Sequence, residues 1–315
     1  MIDLRPVAYV IGLVVAILGA TMLVPMLVDL YYGSPDWLVF LSTATITMVV
    51  GGSMSLATAN SARGGLTIQQ TFLLTTLIWI ALPLFAALPF MLGELQARSV
   101  DAMFEAMSGL TTTGSTVLDG LQDLPEGLLV WRSMLQWFGG IGIIVVAMVF
   151  LPELRVGGMQ IFRSEGFDTM GKVLPRAVDI AGRIAAIYVI LTLLNVIGYL
   201  AVGMTPFDAI NHAFTTIATG GFSTHDESMG VYQGAPEYVA SVFMILGSLP
   251  FVRYIQMVQG TARPLLTDPQ VRAYLGVIFT VTLAMTFYRL IANDDSFEHG
   301  FREGIFNVTS IISGT

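Results

Sequence analysis

Cysteine does not occur in the 315 residues. Its absence excludes a disulfide framework, a thiolate nucleophile and a cysteine-based metal site. Histidine is almost as scarce. His212, His225 and His299 are scattered and no His-Glu-x-x-His motif is present, which argues against an intramembrane hydrolase and for a protein that is not an enzyme. Charge is thin as well: charged residues make up 11% of the chain, less than half the ~25% usual in a globular domain.

Apolar residues fill the chain instead, at 55%. Runs of about 20 residues, enough to cross a hydrocarbon core, occur at Val7–Leu30, Trp37–Ala59, Ile68–Leu92, Leu128–Leu151, Ile184–Gly203, Tyr238–Gln259 and Ala273–Ala292. They predict an all-α polytopic membrane protein. The first run is preceded only by Arg5 and lacks a small-residue cleavage site, so it reads as a retained helix and not a signal peptide.

Arginine and lysine are distributed unevenly. Arg5, Arg63, Arg155, Arg163, Lys172, Arg176, Arg183, Arg263 and Arg272 fall in the N-terminus or in loops after even-numbered spans. The positive-inside rule then places the N-terminus in the cytoplasm. The opposite loops collect acids, among them Asp101, Glu105, Asp208, Glu237 and Glu303. Such a mouth would concentrate cations, although solvated loop charges account equally well for it. Arg132 reads as interfacial, Pro250 as a kink in the sixth span, and Arg253 as reaching the cytoplasmic interface.

A repeat lies in the outer loops. After spans three, five and seven come shorter apolar segments, "DAMFEAMSGLTTTGST" from Asp101, "DAINHAFTTIATGGFS" from Asp208 and "EGIFNVTSIISGT" from Glu303. About a dozen residues cannot cross a bilayer, so these segments are expected to be re-entrant. Aligned on their opening acids, the first two reach Gly114 and Gly221 at the same step, and the third ends at Thr315, one step short. A glycine is expected as the next residue.

A recurring unit of helix, re-entrant segment and helix follows. Irregular backbone at membrane depth is tolerated only where protein or a watery cavity surrounds it. A Thr-Gly exit from a half-helix therefore suggests carbonyls facing an ion, with the negative end of the helix dipole behind them. The opening acids Asp101, Asp208 and Glu303 are expected in the first helical turn, satisfying free amides. Glu105, His212 and Asn307 fall at equivalent positions, where bonds to nearby backbone would fix the loop. Gly139, Gly140 and Gly142 lack the strand and the Gly-Lys-Ser of a nucleotide loop and read as helix packing.

The stretches "FEAMSGLTTTGST", "QWFGGIGI", "LRVGGMQIFRSE" and "FDAINHAFTTIATGGFSTHD", in this order along essentially the whole chain, resemble the Trk/Ktr/HKT superfamily of potassium transporters, most nearly its bacterial TrkH type. The resemblance implies parallel helix, pore-loop, helix repeats around a pseudo-fourfold pore axis, preceded by two extra N-terminal helices. The expected divisions are 1–66 for that hairpin, 67–165 and 166–262 for the first two repeats, and 263–315 for part of a third. The chain would then be a C-terminally truncated fragment, with the rest of the third repeat and the whole fourth absent.

Carried over position by position, the filter would use Thr112, Thr113 and Gly114, then Thr219, Gly220 and Gly221, then Gly314 and Thr315, with Thr111 and Ser115 steadying the loop. A serine in place of Gly114 accompanies sodium preference in plant relatives, so glycine implies a potassium-permeable filter. The implied function is potassium uptake as the ion-translocating subunit of a Trk-type system in the bacterial cytoplasmic membrane. K+ would be the transported ion and no cofactor would be needed. Implied partners are a second copy in a homodimer, a cytosolic ring of nucleotide-binding regulatory subunits docked near Arg155 to Arg183, and membrane lipid, with no nucleic acid. A secondary transporter of another cation or small solute, or a non-conducting fragment, stands as the alternative.

Overall fold

A computed structural model describes residues 3–60, 66–150, 177–292 and 296–315. The motif "LRVGGMQIFRSE" and most of the basic docking stretch lie outside these residues. Among the described residues the regular structure is entirely helical. Contacts divide the chain into two compact units, Met1–Thr111 with Ser115–Leu135, and Thr112–Gly114 with Gln136–Thr315.

The first unit begins with α1 (Arg5–Thr21), which continues past Met22 as α2 (Leu23–Tyr32). Pro6 supplies the preset φ of a helical first turn. Gly33, at φ 81°, ends α2 with its N–H on the Asp29 carbonyl, the left-handed stop that glycine adopts most cheaply. α3 (Trp37–Thr58) packs on α1 through small residues. A Cβ on Gly12 would stand 2.7 Å from the Gly51 carbonyl oxygen, and one on Gly51 would stand 2.5 Å from the Ala16 nitrogen. Backbones approach this closely only where side chains are missing. Gly51→Leu is therefore expected to cost about 1–3 kcal/mol by overpacking, measured as a lower thermal midpoint of detergent-purified protein, whereas Gly52, with nothing near its missing Cβ, should accept alanine.

α4 (Ile68–Ala86) opens with a capping box. The Thr67 hydroxyl accepts from the Gln70 N–H at 3.3 Å, and the Gln70 side chain accepts from the Thr67 N–H at 2.8 Å. These bonds occupy amides that a helix start leaves free. α4 and the short α5 (Leu88–Leu92) together form the third span. α6 (Ser99–Leu110) and α7 (Glu126–Phe150) follow. The start of α7 is fixed by Asp29, whose carboxylate accepts from the Gly127 N–H at 2.6 Å, and by Trp131, whose indole donates to the Ala86 carbonyl at 3.0 Å.

The second unit holds α8 (Ala177–Ala201), α9 (Pro206–Ile217), α10 (Ala235–Ser248), α11 (Phe251–Val258), α12 (Arg263–Thr267), α13 (Pro269–Ala292) and α14 (Phe297–Ser313), together with the later part of α7. The long helices keep large apolar side chains on their surface, such as Ile190, Leu193 and Ile197 on α8 and Phe279 on α13. Hydrocarbon, not water, is the solvent that suits such faces. Among the described residues five spans are long and apolar enough to cross a membrane, or six if α10 and α11 are taken as one.

The sixth span departs from expectation. In place of a kinked helix there is a break, with α10 and α11 meeting at 89°. Pro250 has no N–H to donate and drives the residue before it out of the helical region; Leu249 accordingly sits at ψ 150°. The bend buries Phe251, Tyr254 and Ile255 against Ile184 and Tyr188, and the Tyr254 hydroxyl takes up the Leu246 carbonyl at 2.7 Å. Arg253, expected to reach the cytoplasmic interface, pairs with Asp268 at 2.7 Å. Burial pushes the Asp268 carboxyl up, but bonds from Arg253 and from the amides of Gln270 and Val271 outweigh it and hold it below the ordinary carboxylate range.

Candidate functional site

Three helices, α6, α9 and α14, stop at matching places. α6 and α9 have 12 residues each, about 18 Å of helix, too little for a hydrocarbon core of about 30 Å. Both run into the Thr-Gly exits, and α14 does the same at Gly314. α9 starts with Thr205 as its cap and Pro206 in the first turn. The third segment begins earlier than expected, at Phe297 behind a Ser296 cap, so Glu303 lies in mid-helix and not in the first turn.

The exits share one backbone register. Thr112 has φ 54° and Gly114 φ 78°; Thr219 has φ 50° and Gly221 φ 78°; Gly314 has φ 79°. In repeats two and three the residue after the first left-handed position bonds back five residues, from the Gly220 N–H to the Thr215 carbonyl at 2.9 Å and from the Thr315 N–H to the Ser310 carbonyl at 3.0 Å. This is the Schellman closure of a helix end. For a β-branched residue the left-handed region is a true outlier. That two threonines hold it at equivalent steps marks these turns as strained in the same way, a property that collects at functional sites.

The second unit brings all eight candidate residues into one body. The Gly220 carbonyl oxygen fills the place where a Cβ on Gly114 would stand, and a Cβ on Gly221 would come within 2.8 Å of the Thr315 carbonyl carbon. The exits of repeats one, two and three are thus in contact in chain order. The negative ends of α6, α9 and α14 lead into them.

One residue escaped the sequence. Gln136, fully buried on α7, donates through Nε2 to the Gly220 carbonyl at 2.8 Å and accepts through Oε1 from the Phe222 N–H at 3.0 Å. Its partners are 84 and 86 residues away, a separation no local pattern reveals. On the same helix Gly140 packs as expected, with the Ala218 Cα 3.0 Å from its missing Cβ, but Gly142 has nothing within 4 Å of that place.

The loops that leave the exits are anchored at equivalent points. Glu105 accepts from the Thr116 hydroxyl at 2.9 Å and the Val117 N–H at 3.2 Å, while His212 lies 3.5 Å from the Ser223 hydroxyl. These are the same two positions of the first and second repeats. Asn307, the third counterpart, is exposed and donates to the Glu303 carbonyl of its own helix at 2.8 Å. Arg132 is not interfacial: it is fully buried and pairs with Glu105 at 2.8 Å. Both charges stand in apolar sequence, and the need of a buried charge for a partner was the available clue.

Asp101 and Asp208 do lie in the first turns of α6 and α9, but their carboxylates bond neighbouring side chains and not free amides. Asp208 is capped by Thr205 and takes bonds from the Thr224 and Tyr232 hydroxyls, each at 2.5 Å, tying the loop beyond Gly221 to the start of α9. Asp101 is held by Arg98 at 2.7 Å, whose hydrogen bond keeps its carboxyl below the usual range. Glu303 pairs with Arg289 and with His299 at 3.1 Å, and Glu237 pairs with Arg302. Several acids of the acidic loops are therefore matched by cations. Among the described residues no group of three His, Asp or Glu side chains is placed to hold a metal ion. A cavity of about 410 Å³ borders Gly221 and Thr315 and is lined by His212, Glu237, Glu303 and Asn307 among others.

The family model described as TrkH, Cation transport protein, matches residues 38–315. The chain is 39% identical to the Trk system potassium uptake protein TrkI of Halomonas elongata, an alignment covering 98% of this chain and 63% of that protein. It is 38% identical to the Trk system potassium uptake protein TrkH of Escherichia coli K12, over 90% of this chain and 59% of the relative. The crystal structure of the potassium transporter TrkH from Vibrio parahaemolyticus superposes with a TM-score of 0.88 at 34% identity, covering 98% of this chain and 64% of that one. The chain thus spans roughly three fifths of the length of these proteins. With matched exits in successive repeats and a family match over most of its residues, the chain belongs to the TrkH family of cation transport proteins.

Proposed function

We propose that this chain is the ion-translocating part of a Trk-type potassium uptake system, and that K+ sheds its water for backbone carbonyls of Thr112–Gly114, Thr219–Gly221 and Gly314–Thr315. The observation that carries this is the repeated left-handed register at the ends of three re-entrant helices, assembled in one unit. Carbonyls held by a protein frame can replace an ion's hydration shell, and their number and spacing favour one cation over another. The relatives named above, potassium uptake proteins, favour K+ as that cation.

The proposed organisation is an N-terminal hairpin at 1–66 and repeats at 67–165, 166–262 and from 263 onward, around a pseudo-fourfold axis. The protein would sit in the bacterial cytoplasmic membrane, N-terminus inside, as a homodimer on a cytosolic nucleotide-binding ring. The excess of arginine and lysine in the loops assigned to the cytoplasm supports that orientation. No step of covalent chemistry is involved.

Rubidium uptake by the full-length protein in cells lacking their own potassium uptake tests the function. Saturable uptake that external potassium competes away, and sodium does so only weakly, is expected. Uptake no greater than in cells without the protein would refute the proposal.

A further inference from the structure

Gln136 is placed on α7 but its carboxamide serves the exit of the next repeat. The two bonds it makes fall on either side of Gly221: one on the carbonyl of residue 220, the other on the N–H of residue 222. These groups belong to the two peptide planes that flank Gly221. With both planes held, neither torsion of Gly221 can turn independently.

The direction of each carbonyl follows. In a trans peptide the C=O and the N–H point oppositely, and no cis bond occurs among the described residues. Because the Phe222 N–H points to Gln136, the Gly221 carbonyl points away from it. The Gly220 carbonyl, in contrast, points at Gln136 and towards Gly114. The glycine at 220 is part of the same fit: its φ is not positive, but a Cβ there would collide with the Gln136 carboxamide. Glycine is needed at 220 so that Gln136 can reach.

We propose that Gln136 is the specificity-positioning residue of the second filter strand, aiming the Gly221 carbonyl at the dehydrated cation and reserving the Gly220 carbonyl for structure. This rests on the proposed potassium function and narrows its ligand set, removing the Gly220 carbonyl from it. A strand clamped at both planes keeps its carbonyl at one distance and so tells a larger monovalent cation from a smaller one. A strand free to turn follows either ion inward.

The test compares wild type with Gln136→Leu, Gln136→Glu and the double variant Gln136→Ala with Gly220→Ala, all in the full-length protein. Gln136→Leu keeps the volume and loses both bonds. Gln136→Glu keeps the acceptor for Phe222 and sets a carboxylate against the Gly220 carbonyl. The double variant fills the space with a methyl group and restores no bond. Rubidium-over-sodium uptake ratios are expected to fall by roughly tenfold in all three, the equivalent of about 1.4 kcal/mol, with the KM for rubidium rising more than the maximal rate falls. Hydrogen-exchange mass spectrometry should show faster exchange at the peptide carrying Phe222 in the leucine and double variants.

A ratio restored by the double variant would show that Gln136 only fills space and would overturn the proposal. So would a lower thermal midpoint with an unchanged ratio. If wild type carries no rubidium, the potassium function falls and the selectivity role with it. If uptake is intact but Phe222 exchanges equally fast in wild type and variants, the clamp alone is refuted.

Discussion

Replacing Glu105 with alanine is expected to destabilise the first unit by about 3–5 kcal/mol, the usual penalty for leaving one member of a buried ion pair alone. Arg132 is 1% exposed and Glu105 is fully buried, so the guanidinium loses its carboxylate where water has little access. The same change removes the acceptor for the Thr116 hydroxyl and the Val117 N–H, and so releases the segment that begins two residues after Gly114. The expected result is a large drop in the thermal midpoint of the purified protein. Arg132→Met should cost a similar amount, because an unpaired carboxylate is then buried. The pair Glu105→Leu with Arg132→Met should recover much of the loss, since two apolar residues of like volume are often no worse than a buried ion pair. A double variant as unstable as the sum of the singles would mean that the two side chains are not coupled and would refute the pairing. Single variants that melt with wild type would show that the pair contributes nothing.

Gly114→Ser is expected to abolish most selective uptake. Two costs act together at this position. The backbone sits at φ 78°, where a residue with a Cβ is disfavoured by about 1–2 kcal/mol. The new Cβ would also occupy the place of the Gly220 carbonyl oxygen, and overpacking of this kind costs about 1–3 kcal/mol. The adjacent strand must move, and with it the Gly221 carbonyl. Rubidium-over-sodium uptake ratios should fall by at least tenfold, a change that about 1.4 kcal/mol produces. Gly314→Ala is the informative contrast. It carries the same φ penalty, at 79°, but has nothing within 4 Å of its missing Cβ. A smaller effect is expected there. Equal ratios in Gly114→Ser and wild type would refute the placement of Gly114 against the second strand.

Much of the architecture was legible because helices in a membrane announce themselves by length and hydropathy. The spans from Trp37, Ile68 and Ala273 appear as helices within a few residues of their predicted positions. The re-entrant segments were legible through their repetition, since three unrelated loops would not each pair an apolar dozen with a Thr- or Ser-rich exit at the same step. Errors arose where a local rule met a distant partner. Pro250 does break its helix, but the 89° turn depends on Phe251 and Tyr254 finding a core around Tyr188. Glu303 resembled an opening acid only because the alignment began there; Ser296 caps the helix seven residues earlier. Arg132 looked interfacial because nothing within one helical turn could neutralise it, and its partner is 27 residues away.

The sequence by itself determined that the chain is a bundle of apolar helices interrupted by repeated re-entrant exits, because hydropathy, glycine and threonine act over a few residues. Only the tertiary structure decided which backbone groups face one another. The contacts between Gly114 and Gly220, between Gly221 and Thr315, and from Gln136 to both sides of Gly221 join residues from separate repeats. Their geometry depends on how complete helices pack, and no stretch of sequence contains that information.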